Sequence, residues 1–458
     1  MALNIPAPTV DNCTVNCEEN PPGGKLPVPD QTSIANQPLL NPNLTPEDRF
    51  TSSFSDHLGI FSPARKNEDD AQTLAGKVEK ATGAKPAFIY ASFVPADLTT
   101  DKPGTIAPQD SDQLELLIVT AKGEPLRRRI STATRAKVLQ VADEFRNELI
   151  NQRNLGTDTY LQLAQQLYGW LIAPVDAELQ ARGINNLVFL PDAGLRSTPI
   201  AALHDGRGYL VERYSVGLMP SLSLTNTLIT DIKDSQLLAM GVSQSTQGQT
   251  PLPAVPVELS TLVAKLWRGQ LVLDNQSTLE TLKTLRGQQR YGIIHMATHA
   301  SFNAGPIGES YIQLWEDKLR LDQIRQLGLN DPQVEMLVLS ACKTALGDEE
   351  AELGFAGLAV LSGVKTTVAS LWSVNDAGTA ALIIKFYENL KTSPIKSEAL
   401  RRAQLAMIKG EVFLKDGRIQ GLGTIEGVPL PDASIAEVDE ALSHPYYWAG
   451  FTMVGNPW

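Results

Sequence analysis

The sequence predicts an α/β protein built on a largely parallel sheet with helices on both faces. Three observations carry that expectation. Short apolar runs with abrupt stops recur, among them Asn186–Asp192, Leu237–Val242, Ile293–Ala297, Met336–Ala341 and Thr367–Trp372, and such runs suit strands buried on both faces. Helical stretches separate them, as parallel strands require. Hydrophobic residues make up 43% of the 458 residues, enough to bury such a sheet and too many for a disordered chain.

Taken in order, residues 1–46 are rich in Pro and Asn, with Pro21-Pro22-Gly23-Gly24 at their centre, and read as a linker or extended arm. The chain thus starts in what reads as linker, as a cut through a longer parent would. Thr45-Pro46-Glu47-Asp48 marks a helix start, because Thr can cap and Pro suits the first turn. A second helical stretch covers Asp70–Thr82, and strands follow at Ala87–Val94 and Leu114–Thr120. Gly123 punctuates a turn before a helix expected from Ser131 to about Asn151. Residues 47–154 are thereby expected as an N-terminal α+β region. Later helices are expected over Tyr160–Arg182, Val257–Trp267, Ala377–Leu390 and Ser397–Lys409. Gly417–Ser434 reads as a loop insertion.

The net charge is -12 and the pI is near 5.0, which argues against a broad nucleic-acid footprint of clustered Lys and Arg. The basic run Arg127-Arg128-Arg129 reads as a solvated strand end. The longest apolar stretches, such as Phe355–Val364, fall short of the ~20 residues of a membrane helix. The first thirty residues lack an apolar signal-peptide core. A cytoplasmic protein is favoured, with secretion left open if the chain is part of a longer one. Of the three cysteines, Cys13 and Cys17 lie in the polar leader. They read as idle thiols, with pairing open in an oxidising compartment. Without nearby His or further Cys they do not complete a zinc site.

The third, Cys342, ends an apolar strand, as His299 does 43 positions earlier. Parallel sheets bind ligands beyond the carboxyl ends of their strands. Neighbouring strands would bring this imidazole and thiol side by side. The thiolate is the reactive form of cysteine, and an adjacent His can take its proton and return it to a leaving amine. Small residues follow each, Ala300-Ser301 and Lys343-Thr344-Ala345-Leu346-Gly347, so backbone N–H groups can face a developing oxyanion. Spacing alone leaves the plain alternative open, a buried small hydrophobe beside a hydrogen-bonded core histidine.

The surrounding blocks resemble a known family. Ile294-His295-Met296-Ala297-Thr298-His299-Ala300 is similar to the His block of the CHAT domain, a caspase-like peptidase domain related to separase. Leu339-Ser340-Ala341-Cys342-Lys343-Thr344-Ala345-Leu346-Gly347 is similar to its Cys block. The likeness continues through Gly354–Leu358, Val368–Asp376, Ala399–Gln404 and His444–Phe451, and upstream through Leu190–Leu203. The resemblance covers about residues 155–458. It implies a caspase-like fold, with a pseudo-protease half at 155–285 and an active half at 286–458. It implies His299 as base, Cys342 as nucleophile, and the backbone N–H groups of Ala300 and Cys342 as oxyanion donors. No metal or organic cofactor is implied. The family usually has Gly where this chain has Ala300. A left-handed backbone there would cost Ala roughly 1 kcal/mol or more.

The remaining polar residues divide between function and structure. His295, four before His299, shares its strand face and reads as core or as support for the dyad. His444, with Trp448 and Phe451 nearby, reads as structural packing. Relatives that cut after Arg or Lys use a buried carboxylate in the pocket for that residue. Asp376 is the candidate, with Asp348 and Glu352 after the Cys block as further ones. Asp376 equally suits the cap of a helix starting at Ala377. Lys415 and Arg418 in the expected loop over 410–436 suggest self-cleavage. The expected function is a cysteine endopeptidase cutting protein or peptide substrates after a basic residue. The resemblance implies control by attached sensing domains or partners, so residues 1–155, which show no 34-residue repeat, are expected in that role, with a regulatory protein as a further expected partner. The alternative is a catalytically silent CHAT-fold module, for which Ala300 is the sequence argument. A thiol redox role is disfavoured because Cys342 has no resolving Cys close in sequence.

Overall fold

Helix α1 (Pro46–Leu58) starts in a reciprocal cap. The Thr45 hydroxyl accepts the Asp48 N–H at 3.2 Å and the Asp48 carboxylate accepts the Thr45 N–H at 3.2 Å. Gly59, in the left-handed conformation, closes the helix. Asn67 and Asp70 repeat the box at α2 (Glu68–Thr82). A computed structural model describes residues 44–96, 107–344, 348–435 and 441–458, without the side chains of 341–344 and Ile435. The Pro-rich leader, with Cys13 and Cys17, lies outside the described residues.

Three strands follow, β1 (Pro86–Val94), β2 (Gln113–Thr120) and β3 (Leu126–Thr134). The helix expected from Ser131 starts only at α3 (Arg135–Ile150). Residues 130–134 are held in β3, where Ile130 pairs with Leu114 and Thr134 with Gln113. β3 ends the sheet, and Arg127 and Arg128 are exposed on it, charges that discourage further strand addition. The single helix expected over 160–182 is two, α4 (Leu161–Leu171) and α5 (Ala173–Ala181). Pro174 has no N–H to continue the ladder.

Then come β4 (Asn186–Pro191), β5 (Ser215–Leu218), β6 (Leu237–Gly241), α6 (Val255–Thr261), β7 (Gly269–Leu273) and α7 (Leu279–Gln288). They lead to β8 (Ile293–Phe302), β9 (Tyr311–Gln313), β10 (Lys318–Arg320), β11 (Met336–Thr344), α8 (Glu349–Ala356) and α9 (Leu358–Ser362). The chain continues through β12 (Thr366–Ser370), α10 (Asp376–Leu390) and α11 (Lys396–Ile408). It then passes β13 (Phe413–Lys415), β14 (Arg418–Gln420), β15 (Val428–Pro429) and α12 (Asp432–Ile435), and ends with α13 (Pro445–Trp448) and β16 (Phe451–Gly455).

The main sheet runs β10-β9-β8-β11-β12-β16-β5-β4-β1-β2-β3, with β6 and β7 branching from β8. Pairs β6/β8, β8/β11, β11/β12, β16/β5, β5/β4 and β4/β1 are parallel. This is the mixed α/β architecture the sequence predicts, a large and mostly parallel sheet flanked by helices. The expected boundaries at 154 and 285 do not interrupt it. β1 pairs with β4, and β6, from the expected pseudo-protease half, pairs with β8 in the other half. Hydrogen bonding along β8 therefore places β6 and β7 with the 286–458 segment.

The expected loop over 417–434 is a small sheet, β13-β14-β15. Asp416 and Gly417 turn the hairpin with φ of 51° and 66°, as a two-residue turn requires. Leu414, Ile419 and Val428 are buried beneath it.

Candidate active site

β8 and β11 continue to Phe302 and Thr344, so His299 and Cys342 lie within the last third of their strands, not at their ends. β8 extends because Ala300 and Ser301 pair with Ile312 and Tyr311 of β9. A bulge then changes the register against β11. Leu339 faces Met296, but Ala341 faces His299 and Cys342 faces Ala300. The extra residue sits on β8, between Met296 and His299. Bulges beside active sites re-aim side chains, and this one sets the backbone of Cys342 directly across the ladder from Ala300.

The half-buried His299 ring is oriented from the other side. Its Nε2 lies 2.8 Å from the carbonyl oxygen of Thr250. A carbonyl only accepts, so Nε2 carries a proton and donates it, and in the neutral ring the lone pair is on Nδ1. Thr250 belongs to the segment between β6 and α6, which is anchored along its length. The Val242 N–H donates to the Ala297 carbonyl at 3.1 Å, tying the segment to β8. The Ser243 N–H and hydroxyl donate to Asp274 Oδ1 at 2.8 and 2.9 Å. Gln247 Nε2 donates to the Leu314 and Asp317 carbonyls, and the Ala254 N–H donates to Asp376 Oδ2 at 2.5 Å. The chain leaves β6 toward β7 and returns to β8 on the other side. That reversal is where parallel sheets place their sites.

Ala300 has an ordinary strand backbone. Among the described residues only Asp274 and Asp416 are non-glycine residues with positive φ. The anticipated cost of Ala at this position does not arise.

His295 is fully buried, with Nε2 2.9 Å from Glu258 and Nδ1 3.2 Å from the Tyr387 hydroxyl. Its ring stacks on Tyr387 at 5.6 Å. Burial, reinforced by the Glu258 carboxylate, pushes the Tyr387 hydroxyl well above its usual range. His295 is thus a core residue of β8, the strand that also carries His299. His444 caps α13 by accepting the Tyr446 N–H at 3.1 Å, and its ring meets Tyr160 edge-on at 5.0 Å.

Asp376 is the first residue of α10, and Asn375 is the cap, accepting the Gly378 N–H at 3.1 Å. The capping alternative therefore falls to its neighbour. The half-buried Asp376 carboxylate instead holds Ala254, in the same segment that orients His299. Asp348, the cap of α8, and Glu352, within it, are engaged in other contacts. Asp348 caps the helix by accepting the Ala351 N–H at 2.9 Å. Glu352 is fully buried and accepts the N–H groups of Gly194 and Ser197, at 2.9 and 3.2 Å, and the Ser197 hydroxyl. Beside it the buried Arg196 guanidinium lies over the Phe54 ring at 4.8 Å. Burial lowers the Arg196 pKa, against the pull of the Glu352 carboxylate. Glu349 pairs with Arg135 at 3.0 Å. Burial raises its pKa while Arg135 pulls the other way. Among the described residues no three His, Cys, Asp or Glu side chains gather as metal ligands, and no helix is long and apolar enough to cross a membrane.

The family model of the CHAT domain matches residues 161–456. The chain belongs to the CHAT domain family. Two crystal structures of the Saccharomyces cerevisiae separase–securin complex, at 3.0 and 2.6 Å resolution, are similar to 90% of this CHAT protein. Their TM-scores are 0.47 and 0.46 at 11% sequence identity. The CHAT chain spans 33% of the length of those chains. No curated protein matches the sequence. Sequence reasoning on the CHAT domain missed the Thr250 carbonyl, because a backbone acceptor has no side-chain signature. It also missed Glu258 and Tyr387, whose meeting with His295 depends on how α6 and α10 pack on the sheet.

Proposed function

We propose that this CHAT domain is a cysteine endopeptidase with His299 as base and Cys342 as nucleophile. The observation that carries the reading is the bond from His299 Nε2 to the Thr250 carbonyl, which leaves the Nδ1 lone pair free to take a proton. In the proposed reaction Nδ1 accepts the Cys342 thiol proton as the sulfur attacks the scissile carbonyl. The backbone N–H groups of Ala300 and Cys342 hold the oxyanion. Collapse breaks the C–N bond, and the leaving amine takes the proton from His299. Water then adds to the thioester, giving its proton to His299, and the sulfur leaves to recover it. The silent alternative loses its argument with the ordinary backbone of Ala300. Labelling of Cys342 by iodoacetamide in the wild type, and its slowing in His299→Ala, tests the dyad directly. Equal rates would support the silent module.

The substrates proposed are protein or peptide chains cut after Arg or Lys, with Asp376 receiving the basic side chain and Asp348 and Glu352 confined to structural contacts. Asp376→Asn keeps an acceptor for the Ala254 N–H and removes the charge. It should lower kcat/KM for an Arg-P1 peptide about 10- to 100-fold, the loss of a charge-assisted bond, with Tm nearly unchanged. An equal fall for a neutral P1 residue would remove Asp376 from substrate selection.

Self-processing at Lys415 or Arg418 would require a protease to take an extended segment from a tight hairpin whose apolar residues are buried. The intact mass of wild type and Cys342→Ala should therefore stay equal after prolonged incubation. Two wild-type fragments whose masses sum to the full mass plus one water would establish cleavage. A regulatory protein, if one engages the N-terminal region, meets β1–β3 as part of the sheet that carries the dyad.

A further inference from the structure

Lys396 opens α11 with its side chain only 4% exposed. Among the described residues its ammonium has no hydrogen-bond or ion-pair partner. The nearest charges are Glu335 and Lys365, and Glu335 is already committed, 2.9 Å from the Lys365 ammonium. Lys365 also donates to the Thr230 hydroxyl at 2.6 Å. This buried group therefore holds two ammonium ions against one carboxylate. The Asp231–Lys233 pair, 3.7 Å apart, lies exposed at the rim. The N-terminal end of α11 adds further positive potential. Burial drives the Lys396 pKa down to about 7, and Lys365 reinforces the shift.

Lys396 borders a cavity of about 360 Å³, with Ser393, Thr230, Ile232, Ile395 and Trp458 in its wall. Ser393 is also 4% exposed, and its hydroxyl has no partner among the described residues. Unsatisfied buried polar groups call for an explanation, and here the orphaned Ser393 hydroxyl shares one cavity with Lys396. The cavity lies at the amino ends of β11 and β12, next to Glu335 and Lys365, whereas Cys342 lies toward the carboxyl end of β11. Glu335 and Cys342 are seven positions apart along the strand direction, roughly 20 Å.

We propose that this cavity binds a small amphipathic carboxylate, with its carboxylate on Lys396 Nζ and Ser393 Oγ and its apolar tail against Ile232, Ile395 and Trp458. One ammonium and one hydroxyl match a carboxylate. A phosphate dianion would want more donors than the wall offers. The site does not depend on the peptidase reading.

Octanoate and inorganic phosphate serve as probes of the full chain, by calorimetry and thermal shift. Octanoate should bind and raise Tm with concentration, and phosphate should bind far more weakly. The bound carboxylate stabilises the protonated amine, so affinity is greatest below pH 7. It should fall about tenfold between pH 7.5 and 8.5, with proton uptake on binding near pH 7.5. Lys396→Met should abolish binding and Ser393→Ala should weaken it several-fold. If Lys396→Met does not fold, ¹³C-dimethylation of the wild-type lysines gives the same answer, as an amine resonance titrating near 7 that octanoate moves upward. The proposal is overturned if octanoate does not bind, if binding survives Lys396→Met or is independent of pH, or if phosphate binds and octanoate does not.

Discussion

His299→Ala should lower kcat/KM for an Arg-P1 peptide by about 10³-fold or more while changing Tm little. A positioned base contributes ~10²–10⁴-fold, and members of a catalytic unit removed singly cost most of what removing all of them costs. His299 is half-buried and its ring makes one hydrogen bond among the described residues, to Thr250, so its loss touches stability by about 1 kcal/mol at most. Cys342→Ala should remove activity as completely, and the double variant should be no worse than the worse single one. That non-additivity separates a dyad from two residues acting independently. His299→Ala retaining more than a tenth of wild-type turnover would remove it as the base.

The site was partly legible because its residue types stand at the ends of apolar runs. The runs Ile293–Ala297 and Met336–Ala341 made His299 and Cys342 candidates, and the resemblance of the surrounding blocks singled them out. The bulge between them could not be read from either. It depends on how β8 meets two partners at once, β11 along its length and β9 at its end. For the same reason Ala300 looked like a defect in the sequence and is an ordinary strand residue in the fold. The β13–β14 hairpin is a different case. Asp416-Gly417 between Leu414 and Ile419 is a hairpin signal in its own right, and it was obscured by the polar residues that follow. Ser131–Thr134 carried no such signal, since only pairing with β2 holds that stretch extended. Glu352 shows the limit most clearly. Its acidic surroundings, Asp348, Glu349 and Glu350, suggest a solvated or substrate-facing cluster, but its partners Gly194 and Ser197 lie more than 150 positions away in the chain.

Glu352→Ala should destabilise the protein by about 3 kcal/mol, the scale of breaking a buried charged network from one side. The substitution orphans three donors, the Gly194 and Ser197 N–H groups and the Ser197 hydroxyl. It also withdraws the carboxylate nearest the buried Arg196 guanidinium, whose Nε and Nη1 have no hydrogen-bond partner among the described residues. Glu352→Gln keeps an acceptor for part of the set and should cost about half as much. Arg196→Met in the Glu352→Gln background should recover stability, because the uncompensated cation is then gone. Denaturant midpoints for wild type, Glu352→Gln, Arg196→Met and the double variant give the coupling directly, and a Glu352→Ala loss under 1 kcal/mol would show that the network is slack. The functional consequence follows from chain order. α8 begins five residues after Thr344, the end of the strand that carries Cys342. The Leu190–Leu203 block therefore grips the helix that follows the strand of Cys342, the proposed nucleophile. Under conditions where Glu352→Gln remains folded, kcat should fall more than KM rises, because the loosened element positions Cys342 without touching the substrate.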